Sequence, residues 1–233
     1  MTLRRALVKT AVSIAAVAAI GTAVIGVAHT PWGRPLLRLP LLSALAKHAG
    51  CPVGQIAPAA FESVRTHKLQ GDVGSAAAGA HPALDFTLGE TQRADVERWV
   101  TTQKADCKAG FVPSVLECQD IASPGASKLS HLRLQFDAEQ RLVSVDLFRS
   151  EGAPEALVAR FNALGRELDA TVGPATSSSG TPSVAFMLKT PLQTVTRSYS
   201  YRDYVARTLL LNLGKRGLRL REQYQWLPPR PPA

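Results

Sequence analysis

The first fifty positions of this 233-residue chain contain no acidic residue, and none of the 233 positions belongs to a recognisable catalytic motif. There is no Gly-x-Ser-x-Gly elbow, glycine-rich phosphate loop, zinc-protease helix or calcium loop. Acyl transfer, phosphoryl transfer and metal-assisted hydrolysis therefore have no motif to rest on. Charged residues are only 19% and apolar ones 45%, too apolar for a disordered polyelectrolyte and sufficient for a core. The length excludes a large multidomain enzyme. Cysteines number three and none belongs to a C-x-x-C pair, which leaves a zinc site without its usual spacing.

The chain does contain one long apolar run. Residues 11–28 are uncharged and follow Arg4, Arg5 and Lys9, the layout of an export signal or a membrane anchor. Its length lies between a signal core and a spanning helix, and Gly26-Val27-Ala28 offers a small-x-small cleavage site, so retention and release both stand. Arg4-Arg5 is similar to a twin-arginine signal, although Leu3 stands where a polar residue is usual. Residues 29–82 read as a Pro/Leu-rich juxtamembrane segment with a short helix between Pro40 and Gly50, ending in a small-residue linker over 71–80. Arg34, Arg38 and Lys47 suit either a bilayer surface or docking on the main domain. Residues 83–227 carry the folded module, and 228–233 form a Pro-rich tail.

Within the module, Thr91 offers a cap to a helix whose Val96, Trp99, Val100 and Gln103 share one face. The runs 132–136 and 142–148 alternate and read as a hairpin. Pro154 opens a second helix with an apolar stripe at Leu157, Phe161, Leu164, Leu168 and Val172, closed by Gly173-Pro174. A Ser/Gly loop over 176–181 leads to strands expected at 184–188, 195–201, 204–213 and 218–226, with Gly214-Lys215-Arg216-Gly217 as the last turn. The expected fold is α+β: two helix-plus-antiparallel-strand units with both helices on a mainly antiparallel sheet, after an N-terminal hydrophobic helix.

Cys107 and Cys118 are expected to form a disulfide between the end of the first helix and a following strand, worth about 2–4 kcal/mol and at home outside the cytosol. A zinc pair is the rival reading. Cys51 is left as a free thiol or an intermolecular bridge, and His48 and His67 beside it match no metal spacing. No cofactor or metal is expected. The carboxylate pairs Glu151 with Glu155 and Glu167 with Asp169 read as solvated charge, and Ser177-Ser178-Ser179 as polar loop.

The net charge of +9 is unevenly placed: residues 1–50 and 191–233 each carry +6, and 51–190 carry −3. Leu218, Leu220, Tyr224 and Trp226 share one parity on the last strand, Arg219, Arg221, Gln223 and Gln225 the other. Arg197, Tyr199 and Tyr201 share a parity on an earlier strand. These five, Arg197, Tyr199, Tyr201, Arg219 and Arg221, are the candidate partner-binding residues, a basic face with aromatic anchors for an acidic envelope component. Nucleic acid is not expected, because no nucleic-acid motif accompanies the basic charge.

Short text adds a resemblance. Leu88-Gly89-Glu90-Thr91 with Val96, Val172-Gly173-Pro174 and the 218–226 strand resemble the family that contains β-lactamase inhibitor protein and the small lipoprotein of the outer-membrane β-barrel assembly machinery. Asp106-Cys107 followed by Leu116-Glu117-Cys118 is similar to the inhibitor's first disulfide. Glu90 replaces the family's Met, Val96 falls one residue late, and Glu151-Gly152-Ala153-Pro154 replaces the second opening motif. The resemblance covers 84–226 and implies an exported, non-catalytic scaffold, assembly factor or inhibitor. Such a protein would be anchored in the inner membrane by its N-terminal helix with the domain in the periplasm, or secreted, and would bind an envelope protein. A secreted enzyme without a recognisable motif and a basic lipid- or glycan-binding envelope protein are the alternatives.

Overall fold

The computed structural model describes residues 57–110, 112–121, 129–150 and 153–228. The apolar run 11–28, the short helix between Pro40 and Gly50, Cys51 and the tail from 229 lie outside the described residues. Among the described residues no helix is long and apolar enough to cross a membrane. The described residues form one compact unit.

Helix α1 (Pro58–Leu69) comes first, followed by the two-residue strands β1 (Pro82–Ala83) and β2 (Phe86–Thr87). Then come α2 (Arg93–Thr102), β3 (Asp106–Ala109), β4 (Val115–Ile121), β5 (Leu129–Phe136) and β6 (Leu142–Arg149). The second half contains α3 (Pro154–Thr171), β7 (Ser177–Ser179), α4 (Val184–Leu188), β8 (Thr194–Ser200), β9 (Tyr204–Asn212) and β10 (Leu218–Trp226). Strands β3 to β10 make one eight-stranded sheet in the order β3-β4-β5-β6-β10-β9-β8-β7. All neighbours are antiparallel. Each half thus contributes a helix and four strands, and the halves meet where β6 pairs with β10. The α+β architecture is the one read from the sequence.

Burial divides the sheet into two faces. Strand β10 alternates buried and half-buried without a break, Leu218, Leu220, Glu222, Tyr224 and Trp226 pointing inward. On α3, Leu157, Phe161 and Leu164 pack in one cluster with Val195, Leu210, Leu218 and Leu220, while Leu168 belongs to the larger cluster with Tyr199, Ala206 and Tyr224. Val96 of α2 joins Leu132, Leu134, Val145 and Leu147 in the larger core cluster. At about 25 cal/mol per Å² of apolar area, burying these helix faces is the main force holding helices to sheet. Gly89 closes the turn after β2 with φ +83°, and a Cβ there would meet the Trp226 ring at 2.6 Å, so this turn needs glycine.

Four expectations are corrected in detail. The 184–188 run is a helix, not a strand: the hydroxyl of Ser183 accepts from the N–H of Phe186 at 3.2 Å and caps it. A five-residue apolar run has no period of its own, so the cap decides. The 176–181 loop contains strand β7, which pairs with β8 through its backbone. Helix α2 begins after Gln92, and the Thr91 hydroxyl accepts from the N–H of Thr87 instead of capping it. Residues 71–80 are not a free linker: Arg202 N–H donates to Ala76 O at 2.7 Å, and Gly79 N–H to Val172 O at 3.0 Å. Ala78 N–H also donates to the Asp203 carboxylate at 2.9 Å.

The disulfide between Cys107 and Cys118 is present, but it joins strand to strand. Lys104, at φ +52°, turns the chain just past α2, so Cys107 already lies in β3, directly opposite Cys118 of β4. The Cα atoms are 4.0 Å apart.

Candidate functional site

Residues directly opposite each other in an antiparallel ladder project to the same side. On β10, Arg221 stands between Phe148 of β6 and Leu209 of β9, Gln223 between Asp146 and Arg207, and Arg219 beside Leu211. All of them lie on the sheet face opposite α2 and α3. Helix α1 covers one end of that face. Its Arg65 donates to Gln225 Oε1 at 3.1 Å and to Trp226 O at 3.0 Å, and Gln135 donates to Glu62 at 3.2 Å. Arg65 also pairs with Glu62 within the helix. Among the described residues no other element covers this open face.

The centre of the open face is built on Arg221. Its guanidinium donates to both oxygens of Asp146, at 2.9 and 2.6 Å, and lies 5.0 Å from the Phe148 ring centroid. The Asp146 hydrogen bonds raise its pKa further, against the opposing effect of partial burial. Gln223 also donates to Asp146, at 3.3 Å. Further along the sheet, Glu117 lies 3.6 Å from Arg133, and Asp106 lies 3.5 Å from Lys108. Asp106, Glu117 and Asp146 on the open strands are therefore each matched by one cation. Arg207 and Arg219 have no acidic partner among the described residues; Arg219 donates to Ser150 O at 2.5 Å. These two flank Leu209 and Leu211, which are half-buried on a part of the face that none of the described elements covers.

The five candidates do not form one patch. Arg219 and Arg221 are on the open face. Tyr199 pairs with Ala206, which pairs with Tyr224, and so points into the core with 0% exposure. Its hydroxyl donates to Gly165 O at 3.1 Å and to Asp169 at 2.9 Å. Burial, reinforced by Asp169, pushes its pKa up to about 12. Arg197, on the same side, lies over the Phe161 ring at 5.8 Å and 3.8 Å from Asp169. Tyr201 is buried as well, its hydroxyl donating to Pro174 O at 2.9 Å. Parity within one strand shows which residues share a side. Only the register across β8, β9 and β10 shows which side that is.

Sequence reasoning also missed Asp146, Phe148, Arg207, Leu209 and Leu211, whose place depends on cross-strand register. It missed Glu222, the charged residue in the core parity of β10, which is 1% exposed. Glu222 accepts from Arg149 Nε at 2.6 Å and from the Tyr224 hydroxyl at 2.8 Å. Burial, with the neighbouring Glu222 charge, holds the Tyr224 hydroxyl well above its ordinary range. A cavity of about 130 Å³ adjoins this group between α3 and the sheet and is also lined by Arg160 and Glu167. Arg160 and Glu167 pair with each other at 3.1 Å. The cavity's charges are thus matched by one another, whereas the open face presents two cations without an acidic partner among the described residues. Among the described residues no group of three His, Cys, Asp or Glu side chains could hold a metal ion.

No family model, curated protein or solved structure matches the chain.

Proposed function

We propose that the chain is a non-catalytic envelope protein, exported or membrane-anchored, whose open sheet face binds an acidic protein surface as a scaffold, assembly factor or inhibitor. One observation carries the reading: Arg207 and Arg219, without acidic partners among the described residues, stand beside Leu209, Leu211 and Phe148 on the uncovered face. Apolar centre, basic rim and a rigid β platform are what a protein interface requires. Arg221, fixed by Asp146 and stacked on Phe148, is pre-organised for contact at little further entropic cost. The Cys107–Cys118 disulfide supports an address outside the cytosol, as does the basic, then apolar, amino terminus. The resemblance to the inhibitor and assembly-lipoprotein family points the same way, and membership of that family is part of the proposal.

The test is retention of partners from the native envelope by the intact chain and by a variant with Arg207→Glu and Arg219→Glu. The reading expects one dominant acidic protein whose retention by the variant falls about tenfold or more, with the melting temperature unchanged. Equal retention by both proteins would reject the open face as the contact.

A further inference from the structure

Three large apolar side chains are strongly exposed among the described residues: Val64 at 68%, Leu188 at 52% and Leu192 at 71%. Two of the three stand close together in the chain, Leu188 as the last residue of α4 and Leu192 in the loop between α4 and β8. Scattered single leucines on a surface need no explanation, but two within five residues do. Leu192 in addition has φ +63°, a left-handed backbone that asparagine or glycine adopts at less cost. An apolar side chain is kept where both solvent and backbone disfavour it.

This loop does not stand alone. Asn212, at the end of β9, donates to Met187 O at 2.8 Å and to Thr190 O at 3.1 Å. The same side chain accepts from the N–H of Gly214 at 2.8 Å. One buried amide thus joins the 188–193 loop to the β9–β10 turn, and a Cβ on Gly214 would lie 3.7 Å from the Pro191 side chain. The turn brings Lys215 and Arg216, the loop brings Lys189, and all three are exposed. No acidic residue occurs from 184 to 193 or from 209 to 219. The result is a loop and a turn tied together by Asn212, which between them expose two leucines and three cations.

We infer that this loop and turn form a membrane-surface contact: Leu188 and Leu192 enter the boundary between headgroups and acyl chains of an anionic bilayer while Lys189, Lys215 and Arg216 meet lipid phosphates. Leucine insertion supplies burial, and each cation near an anionic surface adds about 1 kcal/mol, so neither set suffices alone and the two are found together. A bilayer is the occupant that matches this composition, exposed leucines with three basic side chains and no acid in either segment. The contact uses none of the residues assigned to the open sheet face, although its β9–β10 turn adjoins Leu211 and Arg219.

The experiment uses the full chain inserted in vesicles, with Cys51→Ser to remove the third cysteine and Thr190→Cys to hold an environment-sensitive fluorophore. Both leucines and all three cations remain in place. The vesicles are phosphatidylcholine alone, or equal parts phosphatidylcholine and phosphatidylglycerol, with and without brominated acyl chains. A second protein has the label at Arg202→Cys, in the hairpin turn at the other end of β9. The inference predicts bromine quenching at position 190 in the anionic vesicles and none at 202. Lys189→Glu with Lys215→Glu and Arg216→Glu should shift the loop toward water by about 100-fold, the weight of three surface cations. Leu188→Ser with Leu192→Ser should abolish quenching while leaving the far-ultraviolet circular dichroism unchanged. A label that stays in water in anionic vesicles would overturn the inference, as would quenching that survives the charge reversals or occurs equally at 202.

Discussion

Gly165 stands in the middle of α3, where alanine is ordinarily better by about 1 kcal/mol, and the reason is Arg197. A Cβ at Gly165 would lie 1.4 Å from a guanidinium nitrogen of Arg197. The glycine is a notch in the helix through which Arg197 reaches Phe161 and Asp169. A double-mutant cycle read by urea denaturation should show this coupling. Gly165→Ala should be neutral or destabilising in the native sequence, and stabilising by about 0.5–1 kcal/mol once Arg197→Gln has emptied the notch. A second residue holds the approach to the sheet. Asp203 accepts from Ala78 N–H at 2.9 Å and faces His81 Nε2 at 3.0 Å. Burial would raise its pKa, but the Ala78 bond and His81 together outweigh this and hold it below 3.8. A lowered folded-state pKa means that its stabilisation is present above the unfolded value, about 4, and disappears as pH falls through the folded one. Asp203→Asn should therefore cost about 1–2 kcal/mol at neutral pH, with the gap between variant and native protein closing under acid. A gap independent of pH would refute the role of its charge. The sequence contains Gly165, Arg197 and Asp203, but gives no sign that they meet these partners.

At the scale of elements, legibility followed period and length. The 18-residue α3 has four stripe positions in the core, continued by Val172 at its C-cap, and β10 alternates for nine residues, so both can be read directly. The runs 184–188 and 177–179 are too short to show a period, and their states are set by a serine cap and by an available strand edge. The cysteines are an intermediate case. Their pairing follows from number and spacing, whereas the strand-to-strand geometry depends on a left-handed turn at Lys104. With a sequence separation of 11, the bridge should contribute about 2–3 kcal/mol by restricting the unfolded chain. Cys107→Ala with Cys118→Ala should lower the urea midpoint accordingly and expose amides of β3 to exchange before those of β5. An unchanged midpoint would show that this edge of the sheet is held by its ladder alone.

For the molecule as a whole, the architecture was legible because two similar halves each contribute one amphipathic helix and alternating strands. The candidate site was legible only in part. Arg219 and Arg221 share the open face, but Tyr199 and Arg197 lie beneath α3, because the side a strand turns outward is fixed by pairing across the sheet. With that register, the face acquires Asp146, Phe148, Arg207, Leu209 and Leu211, and its charge balance leaves two arginines for a partner. The central claim is that this face is where a protein docks. Its most direct test is photo-crosslinking in the native envelope from a benzoylphenylalanine at position 209, compared with the same group at the exposed position 98 on α2, on the helix-covered side. The account predicts one dominant protein adduct from 209, lost with Arg207→Glu and Arg219→Glu, and no such adduct from 98. No adduct from 209, or the same adducts from both positions, would contradict it.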